Sequence, residues 1–280
     1  MRTVPILLAF SLLAAACTDP PEARPTTPSD DVSGAILPAA PGGEPIEVIR
    51  VLDGDSLEAR VGGAVEEIRM LGINTPERYE CWSDEAREAT SDLIEAGQVA
   101  VVTAGRDRFG RLLGYVSAGD VFVNAALVAA GHAMTISNDH AYMDEFRDLE
   151  DDAFDGYAGL WGPTACGPDL GFDLRIDEVD GNPSGEDDDP RSGESVLIAN
   201  HGDVAADLED WVLRDESSLH RYRVPAGATL GPGDDLRVFS ICGVAEHCFG
   251  DEDTVWSNGG DTAFLLDPSG NVVDRVRFGS

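Results

Sequence analysis

Residues 68–77 read Ile-Arg-Met-Leu-Gly-Ile-Asn-Thr-Pro-Glu. The stretch begins as an apolar run with one arginine, contains a glycine and ends in polar residues. The run overlaps the last of three strand candidates, Glu47–Leu52, Ser56–Val61 and Glu66–Leu71. Asp-Gly and Gly-Gly pairs separate these candidates, and such pairs are typical of tight hairpin turns. The three segments therefore predict an antiparallel meander, with polar residues directly after its third strand.

Helical and strand patterns alternate further along the chain. Ser83 is a candidate N-cap for a helix that extends to about Ala96, with acidic residues in its first turn. Two more strands and two more helices are predicted at Val99–Thr103, Leu112–Ser117, Val123–Ala130 and Asp139–Tyr157. Five strands with helices predict an OB-type five-stranded barrel over residues 45–168.

Residues 171–280 have an all-β texture, in which short strand candidates alternate with turns rich in Gly, Asp, Asn and Pro. The candidates are Leu174–Val179, Ser195–Asn200, Trp211–Arg214, Arg221–Val224, Leu236–Ser240, Thr262–Leu266 and Val272–Val276. Such a series predicts a C-terminal β-sandwich, so the fold class is mainly β with helices. The acidic run Glu186–Asp189 is expected to be a solvated loop, with calcium binding as the alternative.

The N-terminus carries the pattern of an export signal. An apolar run from Val4 to Ala16 is shorter than a membrane span and ends in small residues before Cys17. This predicts a lipoprotein-type signal peptide over residues 1–17 with Cys17 lipidated, and ordinary signal-peptidase cleavage after Ala16 is the alternative. Residues 18–44, rich in Pro, Thr, Ser and Gly, predict a disordered tether. We expect an exported protein, either anchored in a bacterial cell envelope or secreted.

Cysteine usage fits an oxidising compartment. If the N-terminal cysteine is lipidated, four cysteines remain, and local pairing joins Cys81 to Cys166 and Cys242 to Cys248. Each predicted domain then holds one disulfide. A metal site that combines His247 with the second pair is the alternative, although the CxxC spacing of such sites is absent.

The chain is strongly acidic. Its 280 residues include 53 Asp and Glu against 19 Arg and no Lys, for a net charge of -34. This balance excludes a polybasic protein that binds nucleic acid through bulk charge, but it permits an enzyme with a local arginine cluster. Adaptation to a saline habitat is one explanation, because a solvated acidic surface stays soluble in concentrated salt. GC-rich codon usage, which replaces Lys by Arg, is the other.

Four stretches of the predicted barrel belong together, and the first three concentrate carboxylates and arginines near strand ends. They are residues 51–56 (VLDGDS), 68–77 (IRMLGINTPE), 106–111 (RDRFGR) and 123–128 (VNAALV). Phosphodiester hydrolysis needs cations that hold the phosphate, a group that orients or deprotonates water, and in many enzymes a divalent metal. Arginine suits phosphate, and oxygen donors suit calcium. Singly, such residues also have structural explanations, namely an ion pair on a barrel face or an Asp that forms a turn.

In this order and spacing, and with the segment Gly159–Gly162, the four stretches resemble the thermonuclease (staphylococcal nuclease-like) family over about residues 45–168. Members of that family cut single-stranded or double-stranded DNA and RNA with little sequence preference. The resemblance implies a calcium-dependent phosphodiesterase whose substrate is nucleic acid, and the N-terminal pattern predicts that it is exported.

The resemblance also assigns roles to individual residues. Arg69 and Arg111 would grip the scissile phosphate, and Glu77 would orient or deprotonate the attacking water. Arg108 would lie near a terminal phosphate of the substrate. The implied calcium ligands are Asp55, Asn74 and the carbonyl of Thr75.

This chain departs from the family pattern at three points. Asn74 stands where the best-known member has a second metal carboxylate, so weaker calcium binding is expected. Ser137 and Asp139 align with two tyrosines that flank the bound nucleotide in that member, so base stacking is lost or supplied elsewhere. The acidic surface repels a polyanion unless salt screens it.

The second part of the chain resembles a lamin-tail-like domain, which is an immunoglobulin-like sandwich. The segments that carry this resemblance are residues 194–202, 208–215, 229–233, 255–261 and 266–274. Trp211 and Trp256 are expected in its core. Its binding partner is unknown, and an attachment role is an analogy. Two alternatives to a nuclease stay open: a nuclease-like barrel that binds nucleic acid without cutting, and a surface-binding lipoprotein in which the sandwich is the working part.

Overall fold

The computed structural model describes residues 35–137, 139–184, 189, 193–217, 219–243, 245–250 and 254–279. The predicted lipoprotein signal with Cys17, most of the predicted tether and most of the acidic run at 186–189 lie outside these residues. Residues 35–168 form a barrel domain, and residues 171–279 form a sandwich domain. Within the described ranges, no helix combines the length and the apolar character needed to cross a lipid bilayer.

The barrel domain has nine strands and three helices in its described part. The strands are β1 (Glu44–Pro45), β2 (Glu47–Val51), β3 (Ser56–Val61), β4 (Ala64–Met70), β5 (Ile73–Asn74), β6 (Val99–Arg106), β7 (Leu112–Ala118), β8 (Val121–Phe122) and β9 (Met134–Thr135). The helices are α1 (Ser83–Glu95), α2 (Val123–Ala129) and α3 (Met143–Asp155), and a 3-10 turn follows at Gly159–Trp161.

One curled sheet dominates the barrel domain. Its strand order is β1-β6-β7-β4-β3-β2, with β8 added to β7, while β5 and β9 form a separate pair. The five predicted strands are all present, and the OB-type barrel is confirmed. Wholly buried apolar side chains such as Leu57, Ile68 and Phe146 fill its core.

The pairing of β4 with β7 is parallel and places two motifs side by side. Ile68 lies opposite Leu112, and Arg69 lies opposite Leu113. The neighbouring strand pairs β3–β4 and β6–β7 are antiparallel. The 68–77 and 106–111 stretches therefore meet at one end of the sheet, although about 40 residues separate them in sequence.

The described end of the predicted tether is folded, which corrects the expectation of disorder for residues 35–44. Ala35, Leu37 and Ala40 pack against the barrel core, and β1 pairs with β6. The physical reason is that these apolar side chains find a buried surface, while the backbone at 44–45 satisfies its hydrogen bonds on a sheet edge.

The start of α1 also differs from the prediction. The N-cap is Trp82 rather than Ser83, and no side chain caps the helix. Trp82 adopts a left-handed backbone conformation with φ of 70°. Its indole donates a 3.0 Å hydrogen bond to His132, which holds the residue in this conformation although most residues avoid it.

The sandwich domain consists of ten described strands. They are β10 (Leu174–Asp180), β11 (Ser195–Asn200), β12 (Ala206–Asp207), β13 (Val212–Arg214), β14 (Arg221–Arg223), β15 (Thr229–Leu230), β16 (Asp235–Ile241), β17 (Cys248–Gly250), β18 (Asp261–Leu266) and β19 (Val272–Phe278). Two four-stranded sheets, β10-β11-β16-β17 and β14-β13-β18-β19, form the immunoglobulin-like architecture, and β12 pairs with β15. The prediction of buried Trp211 and Trp256 is confirmed.

Both predicted disulfides are present. Cys81 pairs with Cys166, and Cys242 pairs with Cys248. His247 Nδ1 lies 2.6 Å from the hydroxyl of Tyr222. Because Cys242 and Cys248 are joined in a disulfide, they do not offer thiolate ligands, and the alternative of a metal site at this pair is wrong.

The two domains share a junction with its own apolar cluster. Trp161 from the barrel stacks on Phe264 from the sandwich, with ring centroids 6.1 Å apart. Asn271 accepts a hydrogen bond from the Cys166 amide at 2.8 Å and donates to the Gly167 carbonyl. These contacts fix the sandwich against the side of the barrel that carries residues 72–82.

Candidate active site

A tight turn positions the first carboxylates of the site. Asp53 Oδ1 accepts a hydrogen bond from the Asp55 amide at 3.1 Å, which closes the turn before β3. Gly54 is required here, because a Cβ atom at this position would lie 2.8 Å from the side chains of Ala86 and Thr75. The turn thus packs directly against α1 and the chain segment that follows β5.

Asp55 is buried and held by four groups. Its Oδ2 accepts hydrogen bonds from the Thr75 amide at 2.8 Å and the Thr75 hydroxyl at 3.1 Å. The same oxygen lies 3.1 Å from Arg69 Nη1, and Oδ1 accepts from the Ser56 hydroxyl. Three of the predicted site residues are therefore in direct contact.

Arg69 is held by the loop that follows its own strand. Nη1 donates to the carbonyls of Met70 and Ile73, and Nη2 donates to Asn74 Oδ1 at 2.9 Å. Among the described residues, no partner is recorded for Nε or for the second Nη2 hydrogen. A preorganised guanidinium with spare donors is suited to phosphate oxygens.

Arg111 directly precedes the neighbouring strand β7 and is fixed by its own loop. Asp107 accepts hydrogen bonds from the amides of Phe109 and Arg111, and from Arg111 Nε at 2.7 Å. Burial raises the pKa of Asp107, but these donors outweigh burial and hold the pKa below its ordinary value. Arg111 Nη1 lies 3.8 Å from Glu67. Because Glu67 and Arg69 alternate with buried Ile68, both arginines face the same side of the sheet.

Glu77 and Arg108 are more exposed than the residues around Asp55. The Glu77 side chain is exposed, and its amide donates to the carboxylate of Glu80 at 2.8 Å. Arg108 is exposed at the tip of the 106–111 loop, where its guanidinium carbon lies 4.8 Å from the centre of the Phe109 ring. The structure therefore brings Asp55, Arg69, Asn74 and Thr75 into contact and leaves these two side chains accessible to a ligand.

The implied calcium ligands fit a hard cation by donor type. Asp55, the Asn74 amide and the Thr75 carbonyl all offer oxygen. Asp53 stands beside them, and burial together with the charge of Asp55 raises its pKa to about 6, which a nearby cation would reverse. Within the described ranges, no cluster of three or more His, Cys, Asp or Glu side chains could hold a metal. The implied calcium ligands therefore carry little negative charge, as expected from the neutral amide of Asn74.

The sandwich domain reaches this site through Glu216. Asn74 Nδ2 donates to the Glu216 carbonyl at 3.1 Å, and the Glu216 carboxylate accepts from the Ser137 amide. An aspartate at position 74 could not make the first bond, since a carboxylate has no donor. Burial, and then the charge of Asp261, raise the pKa of Glu216 to about 8. Glu216 also adjoins Ser137, one of the two positions that align with nucleotide-flanking tyrosines of the best-known family member.

Sequence reasoning missed Glu216 as part of this site. It lies 142 residues after Asn74, in a loop of the other domain. Its neighbours Asp215 and Ser217 form an ordinary Asx turn, so no local pattern distinguishes it.

Two family models match the chain. "Staphylococcal nuclease homologue" matches residues 67–163, and "Lamin Tail Domain" matches residues 171–280. "Protein ParB" of Escherichia coli is 31% identical over 133 residues, which cover 44% of this chain and 75% of the relative.

Other relatives are similar over shorter stretches. An "Uncharacterized endonuclease" of Escherichia coli O157:H7 is 37% identical over 87 residues, which cover 31% of this chain and 57% of the relative. "Micrococcal nuclease" of Shigella flexneri is 36% identical over 72 residues, which cover 26% of this chain and 41% of the relative. The chain thus spans about half the length of these two relatives.

Proposed function

Because the chain belongs to the staphylococcal nuclease homologue family and continues into a lamin tail domain, we propose that it is an exported, calcium-dependent phosphodiesterase. Its substrate is DNA or RNA, cut with low sequence specificity. The contact set of Asp55, Arg69, Asn74 and Thr75 is the observation that carries the proposal. Two relatives, one named an endonuclease and one a nuclease, support it.

The proposed chemistry gives each side chain the role that the family resemblance implies. Arg69 and Arg111 bind the phosphoryl oxygens of the scissile diester and neutralise the charge that grows on them. Glu77 orients a water molecule and takes its proton as the water oxygen bonds to phosphorus. The bond between phosphorus and the ester oxygen breaks, and the leaving oxygen takes up a proton from solvent. Calcium bound at Asp55, Asn74 and the Thr75 carbonyl would polarise a phosphoryl oxygen.

Export and anchoring are parts of the same proposal. The two disulfides support an oxidising compartment. The pattern before Cys17 supports a lipid anchor that places the enzyme at a membrane surface. The partner of the sandwich domain in that setting is not specified by any residue pattern.

Non-catalytic nucleic-acid binding is the second candidate function. Two observations favour it. Asn74 brings no charge to the set of calcium ligands, and Glu216 lies against Ser137, where the best-known family member has a tyrosine that flanks the nucleotide. Family membership and the shared face of Arg69 and Arg111 favour hydrolysis.

Metal removal tests the proposal. We expect the protein to cleave single-stranded DNA in calcium and to stop when a chelator removes the metal, at each salt concentration of a series. Asn74→Asp should reach half-maximal rate at a lower calcium concentration, because a carboxylate adds ligand charge. The urea midpoint of this variant, measured separately, reports the loss of the hydrogen bond to Glu216.

The results of this experiment test the required metal and distinguish hydrolysis from non-catalytic binding. Cleavage that persists in chelator would exclude calcium as the required metal. Absence of cleavage by folded protein under every condition, together with oligonucleotide binding, would establish the binding function instead.

A further inference from the structure

A cavity of about 220 Å³ lies between the two domains, directly beside the Pro76–Glu80 segment that contains Glu77. The barrel contributes Tyr79 and Glu80 to its lining, and the sandwich contributes Arg214, Arg221 and Arg223. At roughly 30 Å³ for each water molecule, such a volume holds several waters or a hydrated oxyanion. The three arginines are notable in a chain whose net charge is -34.

The strand register explains why these arginines cluster. Arg214 of β13 lies opposite Arg221 of β14, and Arg223 follows two residues later on the same face as Arg221. The hairpin therefore presents three guanidinium groups at the wall that faces the barrel.

Arg214 is buried and, among the described residues, has no ion pair. The residue is 2% exposed, and within the described part of the chain its guanidinium donates to the carbonyls of Asp215 and Ser217. No carboxylate within the described ranges lies within 4.0 Å of it. Burial, and then the charge of Arg221, lower its pKa to about 10. An anion that enters the cavity would strongly stabilise such a buried and unpaired cation.

The carboxylates around the cavity already have partners. Glu80 lies 2.6 Å from Arg221, and Asp210 lies 3.4 Å from Arg223. Asp267 accepts hydrogen bonds from the amides and side chain of its own turn, at Ser269 and Asn271. None of these carboxylates forms an ion pair with Arg214, so its guanidinium has no direct anionic partner among the described residues of the lining.

We propose that this junction cavity binds a backbone phosphate of single-stranded nucleic acid, next to the scissile phosphate, so that the sandwich domain extends the substrate site. The inference rests on the proposed function for its ligand class. Tyr79, which is 93% exposed at the rim, offers a flat ring on which an adjacent base stacks. The junction would thus supply the stacking that Ser137 and Asp139 do not.

Arg223→Gln tests the subsite, with Arg175→Gln as the matched control. Both arginines lie in the sandwich, both are about 60% exposed, and each pairs with one aspartate. Binding of a fluorescent single-stranded oligonucleotide is measured in chelator across a salt series. Arg223→Gln should weaken binding several-fold and reduce the slope of log K against log salt by about 0.7, the loss of one phosphate contact. Arg175→Gln should match the wild type.

The outcomes separate the subsite from the nuclease proposal. Cleavage with identical salt slopes for wild type and Arg223→Gln would overturn the subsite alone. A reduced slope in a protein that never cleaves would support the subsite, while the nuclease proposal fails. If inorganic phosphate displaces the oligonucleotide at equal concentration, the occupant is a free anion, and the proposal is overturned.

Discussion

Replacing Arg111 with alanine is expected to lower kcat/KM for single-stranded DNA by about three orders of magnitude. Arginines that neutralise phosphoryl charge in the transition state commonly contribute about 10³-fold or more. Arg111 is held for that task by Asp107 and faces the same side of the sheet as Arg69. Initial cleavage rates over a range of substrate concentrations measure the effect.

Stability should change little in this variant, because the Arg111 side chain is 29% exposed and its ion pair lies at the surface. Arg50→Ala is the control, since Arg50 also pairs with a carboxylate but lies outside the site. Arg111→Lys should recover only part of the rate, because lysine lacks the planar fork. Equal rates for Arg111→Ala and Arg50→Ala would refute the role given to Arg111.

Replacing Glu150 with glutamine is expected to cost about 3–5 kcal/mol of unfolding free energy, the usual cost of breaking a buried ionic network. The Glu150 side chain is 0% exposed. It accepts hydrogen bonds from Thr135, and from Arg275 and Arg277 of the sandwich domain. Gln keeps the volume but removes the charge that both arginines face. Urea unfolding monitored by tryptophan fluorescence measures the difference.

Asp151→Asn is the matched control for this prediction. Asp151 pairs with the same two arginines but is 49% exposed, so water screens its interactions. Loss of the Asp151 charge should lower the free energy of unfolding by about 1 kcal/mol or less. Equal costs for the two variants would show that Glu150 does not hold the domains together.

Local patterns were sufficient to predict the barrel, and the family resemblance selected the strand end and loop that carry the candidate site. The 68–77 segment places Arg69, Asn74, Thr75 and Glu77 on a strand end and its loop, and the loop geometry is set by nearby residues. Strand alternation and Gly-Asp turns likewise predicted the sandwich. Such features depend on contacts over a few residues, which sequence periodicity reports directly.

The junction could not be predicted, because it depends on contacts between distant segments. Asn74 looked like a weakened metal ligand, whereas the structure also shows it donating to Glu216 of the other domain. The arginines of β13 and β14 read as ordinary strand residues, and only the docking of the domains encloses Arg214 beside Pro76 and Tyr79. The packing of residues 35–40 against the barrel could not be predicted for a similar reason, because their apolar side chains are too few to indicate a buried segment.

The most direct test of the central claim compares the wild type with Glu77→Gln, using Glu85→Gln as the control at another exposed glutamate. Single-turnover cleavage and oligonucleotide affinity are measured on the same preparations in calcium. We expect Glu77→Gln to lower the cleavage rate by about 10²- to 10⁴-fold, the usual contribution of a general base, while affinity stays within about twofold. Equal cleavage rates for all three proteins would contradict the assignment of this site as the place where the phosphodiester bond is hydrolysed.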